Sequence, residues 1–181
     1  MDLTETTLTS EVMFAGKIIT VEKQRVQLPD ETTSEREIVH HSGGSCVVAV
    51  DESNYVCLIR QYRKALECET LELPAGKLEP GEDPYDCAVR ELKEETGFEA
   101  DRVEPLGSIY PTPGYCDEKI LIYLATGLKS GRQELDPGEF LSVVRLPLKD
   151  VHEAVMEGRI RDAKTVVGIL KAVSILKVEL I

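Results

Sequence analysis

Strand-like alternation of apolar and polar residues dominates this chain up to Leu148, and helical spacing takes over beyond it. Near the N-terminus, KIITVEKQRVQLPD (17–30) and SEREIVHH (34–41) predict short strands around a turn at Pro29 and Asp30. The polar, Thr-rich residues 1–12 are expected to be frayed. With Val21, Val26, Leu28, Ile38 and Val39 as its apolar content, this first unit is too small to stand alone and needs a partner surface. A turn at Ser42-Gly43-Gly44 opens the main body, where CVVAVD, YVCLIRQYR, TLELPA, VEPLGSIY, EKILIYLAT and FLSVVRLPL all read as strands. One early helix interrupts them, from Pro84 to about Thr96. Asp83 can N-cap it, Pro84 suits its first position, and Gly97 suits the left-handed stop beyond its end. Tyr85, Ala88, Val89 and Leu92 form its expected apolar stripe. LKDVHEAVMEG and DAKTVVGILKAVSILKVEL, the second N-capped by Asp162, predict two C-terminal helices that cover a sheet face. The polar loop KSGRQELDPG (129–138) is the longest interruption, and such a loop is either functional or disordered. Periodicity alone assigns the class α+β.

At 181 residues the chain allows one substantial core with a small appendage, here divided as an N-terminal strand unit, 1–41, and a main domain, 42–181. The formal charge of −12 argues against a nucleic-acid or anionic-membrane surface. It also means that an anionic substrate would need metal cations and local arginines. No signal segment precedes the strands, and no apolar run approaches the roughly 20 residues of a membrane span, so a soluble, cytoplasmic protein is expected. The five cysteines, Cys46, Cys57, Cys68, Cys87 and Cys116, form no C-x-x-C pair and read as reduced thiols, with Cys46 and Cys57 in the core.

The chemistry concentrates in GKLEPGEDPYDCAVRELKEETGF (76–98). On the predicted helix Glu91 and Glu95 stand one turn apart with Glu94 beside them. Three carboxylates at the edge of a buried face repel one another unless a cation neutralises them, and hard oxygen ligands suit Mg2+ or Mn2+. A solvated acidic face would explain the glutamates equally well if they stood alone. The preceding LELPAGKLEPGED tips the balance, because an apolar strand followed by a Gly/Pro-rich loop brings backbone close to a ligand beside the helix.

Gly76, Glu82, Arg90, Glu91, Glu94, Glu95 and Gly97, with apolar Leu92 and Phe98, fit the pattern G-x5-E-x7-R-E-U-x-E-E-x-G-U. The chain therefore resembles the Nudix hydrolases. That resemblance implies an α/β/α sandwich around a mixed sheet, here preceded by the small antiparallel strand unit. It also implies hydrolysis of a nucleoside diphosphate linked to another moiety. The flanking segments IRQYR (59–63), LELPAGKLEPGE (71–82), YPTPGYCDEKILIYLA (110–125) and RIRDAKTVVGIL (159–170) resemble the ADP-ribose pyrophosphatases of that family, which also carry a proline beyond the box, matched by Pro113.

By the same resemblance Glu91, Glu95 and Glu94 hold Mg2+, or Mn2+, together with the carbonyl of Ala75, and Glu139 is counted with the metal residues. Arg90 reads as the partner of Glu82. The family's general base comes from an acidic loop far from the box, and in QELDPGEFLSVV Glu139 is the choice, with Glu134 and Asp136 as alternatives. Arg63 can pair with a phosphate or stack on a base. Arg36 and Glu37 lie where the resembling enzymes contact adenine, often from the partner subunit, so a homodimer is expected. Glu118 matches a terminal-ribose contact, and a plain strand-edge charge is the alternative. ADP-ribose cleavage to AMP and ribose 5-phosphate leads these readings. Another nucleotide sugar or a damaged nucleotide follows, then a non-cleaving ADP-ribose sensor, against which the intact box argues.

Overall fold

The computed structural model describes residues 2–177. It divides into two compact units, one made of the residues up to Gly43 with Tyr110–Lys119, the other of Gly44–Ile109 with the chain from Ile120 onward.

The N-terminal unit is an antiparallel sheet of three strands in the order β1 (Thr6–Ala15), β2 (Ile19–Gln27) and β3 (Thr33–His41). Its first strand corrects the expectation of a frayed end. Thr6 to Ala15 pair with Gln27 to Thr20, because β-branched Thr and Val and aromatic Phe14 favour an extended, paired backbone over coil. All of β1 is nonetheless exposed, including Val12, Met13 and Phe14. The segment Tyr110–Lys119 joins this sheet through a bridge between Val39 and Cys116.

The second unit carries a seven-stranded mixed sheet. Along its main path the strands run β10 (Leu141–Pro147), β5 (Tyr55–Arg63), β4 (Gly44–Val50), β9 (Ile120–Ser130) and β8 (Phe98–Ile109). β6 (Cys68–Glu72) pairs with β5, and β7 (Ala75–Lys77) pairs with β4. The pair β4 and β9 is parallel. The period-two rule sorts β4 into two cores. Cys46, Val48 and Val50 point to the face covered by α2 (Leu148–Met156) and α3 (Ala163–Leu176), while Val47 and Ala49 pack with Ala88 and Leu92 of α1 (Pro84–Thr96). The result is the α/β/α sandwich.

The helix ends follow the sequence. Asp83 accepts the Tyr85 N–H at 2.8 Å, and Gly97, at φ 75°, returns its N–H to the Lys93 carbonyl. The stripe of α1 differs from expectation: Tyr85 and Val89 are exposed, and Cys87, Ala88, Glu91, Leu92 and Glu95 are buried. The buried arc is thus rotated toward the glutamates. Asp162 caps α3 as expected, accepting the Thr165 N–H at 3.0 Å. The end of the predicted last helix, residues 178–180, lies outside the described residues. Cys46 and Cys57 are buried free thiols, and among the described residues no helix is long and apolar enough to cross a membrane.

Candidate active site

Strand β7 lies on β4 with Ala75 opposite Cys46 and Gly76 opposite Ser45, which presses this short backbone stretch against α1. A Cβ at Gly76 would overlap the Glu91 carboxylate where it stands, so glycine here leaves that side chain its place. The neighbouring Ala75 N–H donates to Glu95 Oε2 at 2.8 Å. Glu95 is 1% exposed and Glu91 9%. Desolvation pushes the Glu95 carboxyl up to about 8; the Ala75 bond and Lys164 oppose this, and the charges of Glu91 and Glu139 add to it. Glu91 is raised as well, again chiefly by burial and against the pull of Arg90.

Arg90 holds the loop to the helix. Its Nε and Nη2 donate to Glu82 at 2.8 and 3.1 Å, and its Nη1 donates to Glu91 at 2.7 Å and Glu94 at 2.9 Å. This bidentate pairing, more than any other influence, holds Glu82 down at about 2. Glu91 and Glu95 are therefore both buried on this edge of α1, and Arg90 pairs with Glu91 as well as with the less buried Glu94. Among the described residues no three His, Cys, Asp or Glu side chains stand together in a metal-holding group, so the expected three-way convergence of glutamates is incomplete. Two desolvated carboxylates beside the bare backbone of Gly76 still suit a hard divalent cation.

The acidic loop is tied to the C-terminal end of α1. Gly131 N–H donates to the Gly97 carbonyl at 2.6 Å, Glu134 N–H to the Glu94 carbonyl at 3.0 Å, and Gln133 Nε2 to the Glu95 carbonyl at 2.6 Å. These bonds satisfy helix-end carbonyls that would otherwise lack partners. Beyond the tether, Glu139 is near enough for its charge to raise both Glu91 and Glu95, whereas Glu134 acts on Lys93. Asp136 and Glu139 close a turn together, Glu139 N–H donating to the Asp136 carbonyl at 3.0 Å.

Within the N-terminal unit, Arg36, Glu37 and Pro113 line one cavity of about 310 Å³. Glu5 grips the Arg36 guanidinium at 2.9 and 2.5 Å, and Ser34 Oγ accepts a further bond at 3.0 Å. Cys116 lines the same cavity. Glu118 is not part of that wall and approaches His41 at 3.4 Å.

The NUDIX domain model matches residues 39–166. This chain belongs to the Nudix family. A "Methanol dehydrogenase activator" of Bacillus methanolicus is 42% identical over 167 residues, covering 91% of this chain and 90% of that protein. An "ADP-ribose pyrophosphatase" of Bacillus subtilis (strain 168) is 40% identical over 169 residues, covering 92% and 91%. A solved "ADP compounds hydrolase" superposes with a TM-score of 0.85 at 28% identity, covering 98% of this chain and 97% of its own. Nudix hydrolases generally need divalent metal ions.

The Nudix sheet also holds a charge network that sequence reasoning missed. Arg63 donates through Nε and Nη2 to Glu72 at 2.8 and 2.7 Å, so the guanidinium is already committed on one edge. Glu72, 2% exposed, also takes bonds from Thr70 and Lys164, and Lys164 donates to Asp162 at 3.0 Å. Against strong desolvation, Arg63 and Lys164 hold Glu72 down at about 2. Leu73 N–H donates to Thr165 Oγ1 at 2.9 Å, which pins the strand leading to Ala75 onto the start of α3. The available signals were a lone Glu inside LELPA and a lone Lys inside the apolar DAKTVVGIL.

Proposed function

We propose that this Nudix hydrolase cleaves the pyrophosphate of ADP-ribose to AMP and ribose 5-phosphate with Mg2+, or Mn2+ in its place. The observation that carries the reading is the pair of desolvated carboxylates, Glu91 and Glu95, against the bare backbone of Gly76. A site that raises two carboxylates on its own side chains is built for a cation and, through it, for phosphate. Glu91, Glu95 and the Ala75 carbonyl hold the ion in this reading, with Glu94 joining as Arg90 gives up its bonds to Glu91 and Glu94. When bound, such an ion supplies positive charge against the phosphoryl oxygens and acidifies water.

Glu139 serves as the general base. It takes a proton from the attacking water, the water oxygen forms a bond to one phosphorus, and the bridging P–O bond breaks with its electrons leaving on the other phosphate. Its influence on Glu91 and Glu95 supports this choice over Glu134 and Asp136. Arg63 keeps Nη1 for a phosphate oxygen while Glu72 fixes its plane. Arg36 and Glu37, with Pro113, receive the adenine in the N-terminal cavity, and Glu118 contacts the terminal ribose. The exposed apolar side chains of β1 support a homodimer formed through the N-terminal unit.

A second reading, cleavage of a different nucleotide sugar, is favoured by a "GDP-mannose pyrophosphatase" of Citrobacter koseri that is 32% identical over 147 residues. Purified protein incubated with ADP-ribose, GDP-mannose and NADH, each with Mg2+ or Mn2+, separates the two by the nucleotide released. ADP-ribose should give AMP with the highest kcat/KM. Faster cleavage of another diphosphate would replace the substrate, and no cleavage of any would refute hydrolysis.

A further inference from the structure

His40 sits between two carboxylates in the N-terminal unit. Its Nδ1 lies 2.6 Å from Asp117 Oδ2, and its Nε2 lies 2.7 Å from Glu22 Oε2. A carboxylate accepts hydrogen bonds and donates none, so both ring nitrogens must carry protons for both contacts to hold. Neutral imidazole has one N–H, and losing the second proton turns a lone pair toward a carboxylate. The arrangement is therefore complete only as imidazolium.

The contact joins three pieces of that unit. Glu22 is on β2, His40 on β3, and Asp117 on the segment Tyr110–Lys119. Around it, Val39 N–H donates to the Tyr115 carbonyl at 2.7 Å, Asp117 N–H donates to the Val39 carbonyl at 3.1 Å, and His41 N–H donates to Asp117 Oδ1 at 2.9 Å. Pro113, Tyr115 and Asp117 of the docked segment line the same cavity as Arg36 and Glu37. Whatever loosens the segment from β3 alters the wall of that cavity.

We propose that His40 is a positioning residue, a proton-dependent clasp that docks the segment around Asp117 onto β3 and so sets the affinity of the Arg36 cavity for its ligand. The groups facing His40 are Asp117 from the segment and Glu22 from β2; β1 sets Val12 opposite Glu22, and the adjacent His41 turns to Glu118. Asp117 first and Glu22 second raise the imidazole above its ordinary 6.5. The sign follows. The clasp is fully formed below pH 6.5 and is lost as pH rises through the raised value.

The inference rests on the reading of this cavity as the adenine site, and its test separates the two. KM and kcat for ADP-ribose are measured from pH 6 to 9 in wild type and in His40→Gln, whose amide can donate to one carboxylate but not to both. For a half-exposed ion pair the wild-type KM should rise about two- to fivefold across the titration. His40→Gln should hold the higher KM at every pH, with kcat matching wild type. In parallel, protection factors of the Val39 and Asp117 amides in wild type should fall over the same pH range. An unchanged KM profile in His40→Gln, or protection that does not fall, would overturn the clasp. If wild type released no AMP, the substrate reading would fail by itself, and the clasp would stand or fall on amide protection.

Discussion

Removing the charge of Glu95 should make the metal-free protein more stable and its stability less dependent on pH. Glu95 is 1% exposed, and its carboxyl is pushed up to about 8 from an ordinary 4.5. The folded chain keeps a proton that the unfolded chain has already released. This contribution is therefore fully present below pH 4.5 and is lost as pH rises to about 8. Each pH unit in that window costs about 1.4 kcal/mol, which makes about 3 kcal/mol by pH 7. Glu95→Gln removes the charge and keeps an oxygen to accept the Ala75 N–H. Urea or thermal unfolding in EDTA at pH 7 should show the variant about 2–3 kcal/mol more stable, a rise of about 4–10 °C in Tm for a chain of this size.

Excess Mg2+ should reverse the order. Wild type gains about 2.7 kcal/mol at a hundredfold excess over Kd, and Glu95→Gln, with a ligand charge gone, gains much less. Turnover should largely disappear in the variant. Equal stability of metal-free wild type at pH 5 and pH 8, or a Glu95→Gln variant no more stable than wild type at pH 7, would refute the argument that burial without a cation strains this carboxylate.

Glu139→Gln should lower kcat by about 10²- to 10⁴-fold with little change in metal-induced thermal stabilisation; a larger loss in Glu134→Gln or Asp136→Asn would move the base to that residue. Gly76→Ala should displace the flexible Glu91 carboxylate rather than the backbone, so a large loss of turnover with a Tm within a few degrees of wild type is expected, and near-normal turnover would show that the cradle has slack. Analytical ultracentrifugation should find a dimer that dissociates or aggregates when residues 1–41 are deleted. A full-length monomer, fully active at nanomolar concentration, would sink the dimer.

What the sequence made legible is what local chemistry decides. Asp83, Pro84 and Gly97 mark the ends of α1 because each acts on backbone groups within a turn of itself. Alternation in CVVAVD assigns β4 to two cores for the same reason. The failures share a cause of the opposite kind. Thr6–Ala15 is ordered by its pairing with β2, which a polar, Thr-rich run does not announce. Tyr85 and Val89 look like core at helical spacing, yet β7 and β4 press on the arc that carries Cys87 and Glu91. The acidic loop reads as solvent-exposed until Gly131, Gln133 and Glu134 are seen to bond to carbonyls at the end of α1.

The two charge networks of the second unit support the proposed place of the cation. In one, Arg63 and Lys164 meet Glu72 and Asp162, two positive groups against two negative ones, and Glu72 stays ionised although it is buried. In the other, Glu82, Glu91 and Glu94 share the single guanidinium of Arg90, and Glu95 lies buried beside them with its carboxyl raised. Burial alone does not separate them, since Glu72 and Glu95 are both almost fully enclosed. The difference is the count of compensating charge. The balanced network, with the Leu73 to Thr165 bond, ties the strand that leads to Ala75 to the start of α3. The unbalanced one is left short of positive charge at the edge beside Gly76, a shortage that a divalent cation with a phosphate behind it would correct in the proposed reading.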